Sequence, residues 1–463
     1  MSSEQGGKHE LGLRRDLGIW GAAAIVVGTV IGSGVFVVPK RAVIATGSPD
    51  WVTFVWIFGG LLSLAGALTY AELSSSMPEA GGEYVYLREA YGPFWGYLYG
   101  WTQFWVAKSG SIATLASGFF IYLANFLPGL EQSFATLPLP WGGTLPLQWG
   151  QLAAAGVILF LAFVNYFGVK VGGNLQIVVT IAKVGLLVGI VLVGLFSSQG
   201  TFANFSTSVP ANPGGASGFF VALVGILWAY DGWNNVSMVS SEIKNPQRNL
   251  PLALIFGTLG VMLIYLLANT AYFYVLTSAE VAASDRVPAQ MMRKLFGPEG
   301  ATVVSVAAMI SIFSALNGSI LSGGRVPFAM ARDGLFFKKI GEIHPVHRTP
   351  AQSMIWLSLW SSVLVFTGQY DQLATYVIFG SWILYGMAAA SVFVLRKKRP
   401  DLPRPYKTLG YPLVPAMFVA VALILIVFTL KDQPRESLLG LGLILAGIPP
   451  YYYWKSRQKS VEN

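Results

Sequence analysis

Residues 28–39 read GTVIGSGVFVVP, and residues 225–236 read GILWAYDGWNNV. Each lies in an apolar run long enough to cross a bilayer, and each is a poor continuous helix. Gly28, Gly32, Ser33 and Gly34 crowd the first, and the Asp231–Gly232 pair interrupts the second. Glycine lowers helix propensity, and a carboxylate at membrane depth is costly unless it is paired or wetted. Broken helices inside a membrane are tolerated where the freed backbone lines a cavity or is buried in protein.

The rest of the chain supplies that membrane. Of 463 residues, 54% are apolar and 11% charged, against roughly 25% charged in a soluble domain. A soluble globular fold is excluded. At about 20 apolar residues per span, the apolar total is enough for twelve helices. Apolar runs bounded by proline, glycine and charge place them near 18–38, 51–76, 94–126, 148–168, 175–197, 217–240, 250–276, 302–330, 350–367, 373–395, 412–430 and 438–454. The two glycine breaks fall in spans 1 and 6, the first members of two consecutive five-span sets. Five is odd, so the second set enters from the opposite side. The expectation is an all-α integral membrane protein of twelve transmembrane helices, with a 5+5 inverted repeat and discontinuous helices 1 and 6. Such paired breaks mark the midplane site of an alternating-access transporter. The expected segments are an N-terminal tail 1–17, a first repeat 18–197, a second repeat 217–395, two additional helices 412–454 and a C-terminal tail 455–463.

Charge sets the orientation. With the N-terminus inside, twenty of the thirty Lys and Arg fall on cytoplasmic segments and seven on outer loops, namely Lys40, Arg41, Arg286, Arg293, Lys294, Lys431 and Arg435. Lys108, Lys183 and Arg325 lie within spans. This bias puts both termini in the cytoplasm of a multi-pass cell-membrane protein, and the net charge of +9 reports topology, not nucleic acid. The first apolar run is full length, so no cleavable signal is expected. Zero cysteines exclude thiolate metal sites, disulfides and cysteine nucleophiles, including a disulfide-linked partner. The three histidines, His9, His344 and His347, sit in polar segments, and no hydrolase or nucleotide-binding motif is present. No catalytic residue, metal ligand or cofactor is assigned, and an enzyme is not expected.

The breaks carry the candidate site. After Gly32-Ser33-Gly34 a new half-helix begins, and N–H groups near Ser33, Gly34 and Val35 suit a carboxylate. The other reading of these small residues is a packing motif. At the second break the carbonyls of Trp228, Ala229 and Asp231 are expected to lack helical partners and to accept from an ammonium. Opposed N–H and carbonyl clusters form a clamp for a zwitterion. Asp231 serves either the ligand pocket or as a cap on the following half-helix. Trp228 is a gate or a packed aromatic. Lys183, deep in the fifth span, either donates to carbonyls freed in the first span or snorkels to the interface. For Lys108 and Glu72 a structural ion pair is the preferred reading.

These residues resemble a known family. GTVIGSGVFVVP, AELSSSMPEAGGEYVYLREAYG (71–92), WAYDGWNNVSMVSSEIKNPQRNLPLAL (228–254), LNGSILSGGRVPFAMARDG (316–334) and VLRKKRPDLPRPYK (394–407) are similar to the L-type amino acid transporter branch of the amino acid, polyamine and organocation superfamily. The resemblance runs from about residue 14 to 454. It implies a LeuT-type fold and sodium-independent amino acid exchange or uptake. Carried over, Ile31, Ser33 and Gly34 hold the α-carboxylate and α-amine from the first span, and Trp228, Ala229 and Asp231 do so from the sixth. Trp228 falls at the family's aromatic gate, and Lys183 at the lysine that replaces sodium. Asn317 lies in a polar eighth-span motif of open role. Animal members pair by a disulfide with a heavy subunit. The absence of cysteine here implies a stand-alone prokaryotic homologue. The leading expectation is an exchanger of neutral L-amino acids, and the alternative is a proton-coupled or cationic amino acid or polyamine uptake system. A channel would need a continuous polar pore, which the sequence does not show.

Overall fold

The computed structural model describes residues 12–138, 144–367 and 370–462, so His9 and most of the expected tail 1–17 lie outside the described residues. Helices α1 (Ile19–Val30) and α2 (Gly34–Thr46) are bent by 41° at the Ile31–Ser33 break. Then come α3 (Pro49–Ser76), the short α4 (Glu83–Tyr91), and α5 (Pro93–Thr102), which passes through a π-turn at Gln103–Ala107 into α6 (Lys108–Leu123). After α7 (Trp149–Tyr166) and α8 (Val169–Leu195), α9 (Gly215–Tyr230) stops at the second break and is followed by one turn, α10 (Asn235–Met238). The chain continues through α11 (Pro246–Val275), α12 (Ser278–Ala282), α13 (Val287–Phe296), α14 (Pro298–Gly323), α15 (Arg325–Arg332), α16 (Ala351–Val365) and α17 (Tyr370–Lys398). It ends with α18 (Leu413–Asp432), α19 (Pro434–Leu445) and α20 (Ile448–Glu462).

Two differences from expectation have physical reasons. The chain is not wholly helical, because β1 (Ser133–Pro138) pairs antiparallel with β2 (Thr144–Gln148) in an exposed hairpin before α7. The first span does not end near residue 38. α2 runs through Pro39 and closes at Gly47, whose φ of +88° suits a residue without a Cβ. Among the described residues, seven helices are long and apolar enough to cross a bilayer, and the bent pair α1–α2 makes an eighth. Gly215–Tyr230 and Ala351–Val365 are apolar but shorter.

The faces of α8 show how the bundle is assembled. Gln176, Thr180, Lys183 and Leu187 recur every three or four residues and are buried, while Val178 and Ile181 are mostly exposed. That is a stripe facing protein and an apolar back suited to lipid. α1 is surrounded by α8, α11 and α14, and α2 lies along α9. Asn317 on α14 joins this core through amides. It donates to Gln176 at 2.7 Å and accepts from Asn165 at 2.8 Å, and Gln176 in turn donates to the Ala24 carbonyl at 3.2 Å.

Ion pairs lock the end of the bundle that carries Leu17. Arg325 grips Glu242 through two bonds of 2.7 and 2.9 Å, both side chains being fully buried. Beside them Leu17 bridges to Ile243, its N–H donating to the Glu242 carbonyl at 3.0 Å. Glu72 accepts from Arg396 at 2.8 and 2.6 Å and from the Thr408 N–H at 2.7 Å, so its ion pair reaches a partner 324 residues away.

Candidate functional site

At the first break the backbone turns out of the helix at Ile31 (φ −73°, ψ 88°). The carbonyls this releases are received by side chains from three other helices. The Lys183 ammonium donates to Gly28 O at 2.5 Å and to Ile31 O at 2.6 Å, and Lys183 is only 1% exposed. The Ser311 hydroxyl lies 2.9 Å from Ile31 O and 3.2 Å from Gly32 O. The Tyr265 hydroxyl is shared between Val30 O at 3.0 Å and Ala229 O at 2.9 Å, touching both breaks at once. A buried ammonium needs such acceptors, since burial of an unpaired charge is prohibitive.

At the second break Asp231 is extended and Gly232 has φ +109°. A side chain there would be strained. Its Cβ would also stand 3.1 Å from the backbone of Thr29, because the two breaks are in direct contact. The Thr29 hydroxyl sits in that contact, shared between Ile25 O at 2.6 Å and Gly232 O at 2.8 Å. Two expectations are corrected here. The carbonyls of Trp228 and Ala229 are not without partners: the first accepts from the Asp231 N–H at 3.2 Å, the second from Tyr265. A carbonyl retains a second lone pair, so both still have acceptor capacity. Asp231 does not cap a following half-helix. α10 is a single turn preceded by Asn234, and the Asp231 carboxylate accepts instead from the Tyr385 hydroxyl at 3.0 Å.

Between the breaks lies a cavity of about 30 Å³. Ser33, Gly34, Trp228, Ala229 and Asp231 line it, together with Thr29, Val30, Gly32, Gly232, Lys108, Ser111, Leu115, Asn235 and Ser319. Two of the residues named from sequence stand apart. Ile31 and Val35 are buried and not part of the lining, and the Ile31 carbonyl is occupied by Lys183 and Ser311. Lys108 has no ion pair among the described residues: it donates to the Asn235 side-chain oxygen at 2.6 Å. Gly34 is required by proximity. A Cβ there would lie 2.6 Å from both Cα and Cβ of Ala229, where α2 and α9 touch. A Cβ at Gly32 would meet only ordinary contacts, 3.5 Å to Leu115 and 3.6 Å to Ala315.

Sequence reading missed Tyr265, Ser311, Thr29, Ser111 and Ser319. Tyr265 leaves one signal, a single hydroxyl inside the apolar run VMLIYLL at 261–267. The serines leave none, since small residues are common at packed helix faces.

A family model described as amino acid permease matches residues 17–445. The serine/threonine exchanger SteT of Bacillus subtilis (strain 168) is 34% identical over 453 residues, 97% of this chain and 99% of that protein. The b(0,+)-type amino acid transporter 1 of Mus musculus is 34% identical over 444 residues, 95% of this chain and 88% of that protein. The cystine/glutamate transporter of Homo sapiens is 28% identical over 453 residues, 97% of this chain and 87% of that protein.

Proposed function

The chain belongs to the amino acid permease family, and from that premise we propose that it is a secondary transporter exchanging neutral L-amino acids without sodium. It is a transporter, not an enzyme, and lies on the L-type branch. With no cysteine it forms no disulfide with a heavy subunit. The architecture we assign is the LeuT-type fold of twelve spans, with repeats 18–197 and 217–395 and two further helices in 412–454. It sits in the cell membrane with both termini cytoplasmic.

The observation that carries this reading is the Lys183 ammonium held on the Gly28 and Ile31 carbonyls. A fixed charge that already saturates carbonyls of the first break removes the need for a mobile cation there. The substrate carboxylate then meets backbone N–H groups where α2 begins, at Ser33, Gly34 and Val35. The substrate ammonium meets the remaining acceptor capacity at Trp228, Ala229 and Asp231, and Trp228 covers it. Both breaks line the cavity, so a rearrangement at either one reshapes it, in keeping with alternating access.

The alternative, uptake of cationic amino acids or polyamines, is favoured by one observation: Asp231 lines the cavity. Against it, Lys108 lines the same cavity. Counterflow separates the readings. Labelled serine should accumulate in proteoliposomes loaded with neutral L-amino acids and not in empty ones. Serine uptake that needs a proton gradient, or exchange confined to arginine, lysine or polyamines, would replace the proposal with the alternative.

A further inference from the structure

Lys108 opens α6 immediately after the π-turn at Gln103–Ala107, which changes the register at which the following residues face the bundle. The outcome is an ammonium on the cavity wall, 7% exposed, with Ser111 one turn further along the same lining. An ammonium has three donors. One is used on Asn235 at 2.6 Å, and no carboxylate among the described residues lies within ion-pair distance. The opposing charge on the cavity is Asp231, whose carboxylate is engaged by Tyr385. Glu83 is tied to Asn234, the neighbour of Asn235.

A ligand side chain entering here meets one fixed positive and one fixed negative charge, plus the hydroxyls of Ser111 and Ser319. A cationic side chain gains from Asp231 and loses against Lys108, and an anionic side chain experiences the reverse. A purely aliphatic side chain that displaces water from this wall leaves a donor of Lys108 without a partner, which is unfavourable. An uncharged side chain with a hydrogen-bond acceptor satisfies that donor and adds no charge.

We infer that Lys108 is the specificity residue of the side-chain subsite, selecting amino acids with a hydroxyl or carboxamide side chain over aliphatic, cationic and anionic ones. This rests on the exchange function proposed above. The test is selectivity in proteoliposomes of the full chain, comparing wild type with Lys108→Met, which keeps length and removes the donors and the charge. Competition by serine, threonine, glutamine, alanine, valine, arginine and glutamate is measured against labelled serine, and ligand-induced thermal stabilisation of the purified protein is read in parallel. The expected result is a serine-to-alanine affinity ratio that falls about ten-fold in Lys108→Met, in line with loss of a hydrogen bond from a charged donor. Arginine competition should rise. An unchanged ratio, or an equal loss for every amino acid at preserved folding, would make Lys108 a prop for Asn235 and overturn the inference. If wild type exchanges no amino acid, it is the exchange function itself that fails.

Discussion

Replacing Lys183 by Met is the sharpest single perturbation of the site. Methionine nearly preserves the volume, so no large cavity term enters. Two hydrogen bonds from a charged donor are lost, at 2.5 Å to Gly28 O and 2.6 Å to Ile31 O, each worth about 1.5–3 kcal/mol. The loss is offset by no longer burying an ammonium, whose effective desolvation penalty is several kcal/mol. These two terms largely cancel. What remains is set by the acceptors. Ile31 O keeps the Ser311 hydroxyl, whereas no other side chain among the described residues donates to Gly28 O. One buried carbonyl without its partner costs about 1–3 kcal/mol, which at 1.4 kcal/mol per ten-fold lowers the population of the ordered break by about 5- to 150-fold. Exchange in proteoliposomes at matched protein content should fall by a factor in that range, with the purified variant still monodisperse. Exchange at the wild-type rate would refute the reasoning and return Lys183 to a packing role.

Gly34→Ala should abolish exchange, since its methyl would stand 2.6 Å from Cα and Cβ of Ala229 and must push α2 and α9 apart, whereas Gly32→Ala, whose methyl would have neighbours at 3.5 and 3.6 Å, should remain active; equal behaviour of the two in counterflow would contradict the close-approach argument. Arg325→Met leaves Glu242 buried and unpaired, which costs about 3–5 kcal/mol, so its melting temperature should fall well below that of the double variant Glu242→Met/Arg325→Met; a single variant as stable as wild type would refute a buried pair. Asp231→Asn keeps an acceptor for Tyr385 and removes the charge that balances Lys108, so arginine competition should weaken and glutamate competition strengthen, and an equal change for all substrates would count against a pocket-facing carboxylate.

The sequence makes the two breaks visible because glycine clusters and a lone aspartate are anomalies within apolar runs, and anomalies stand out against a uniform background. What satisfies each break is a different matter. Tyr265 reaches Val30 across 235 residues, Ser311 reaches Ile31 across 280, and Glu72 finds Arg396 across 324. Helical periodicity says which face a residue occupies but not which helix opposes that face. Lys183 was easier, since an ammonium inside a long apolar span must find acceptors and the broken helix offers them. Lys108 posed the same problem without a clear answer, because the π-turn at 103–107 alters the register on which its direction depends. Ile31 and Val35 show a further limit, because backbone and side chain of one residue part company at the break. Adjacency in sequence to Ser33 and Gly34 suggests a shared site, yet the turn at Ile31 and the rise of α2 carry both side chains away from the cavity. The hairpin at 133–148 escaped notice because short, exposed strands containing prolines leave no hydrophobic alternation to read.

The measurement that bears most directly on the central claim is labelled serine uptake into proteoliposomes loaded with unlabelled serine, run once in sodium and once with choline in its place. Because the positive charge at the first break is Lys183 itself, uptake should be the same in both salts and should depend on the internal amino acid. A several-fold loss in choline, or equal uptake by empty vesicles, would contradict a sodium-independent exchanger.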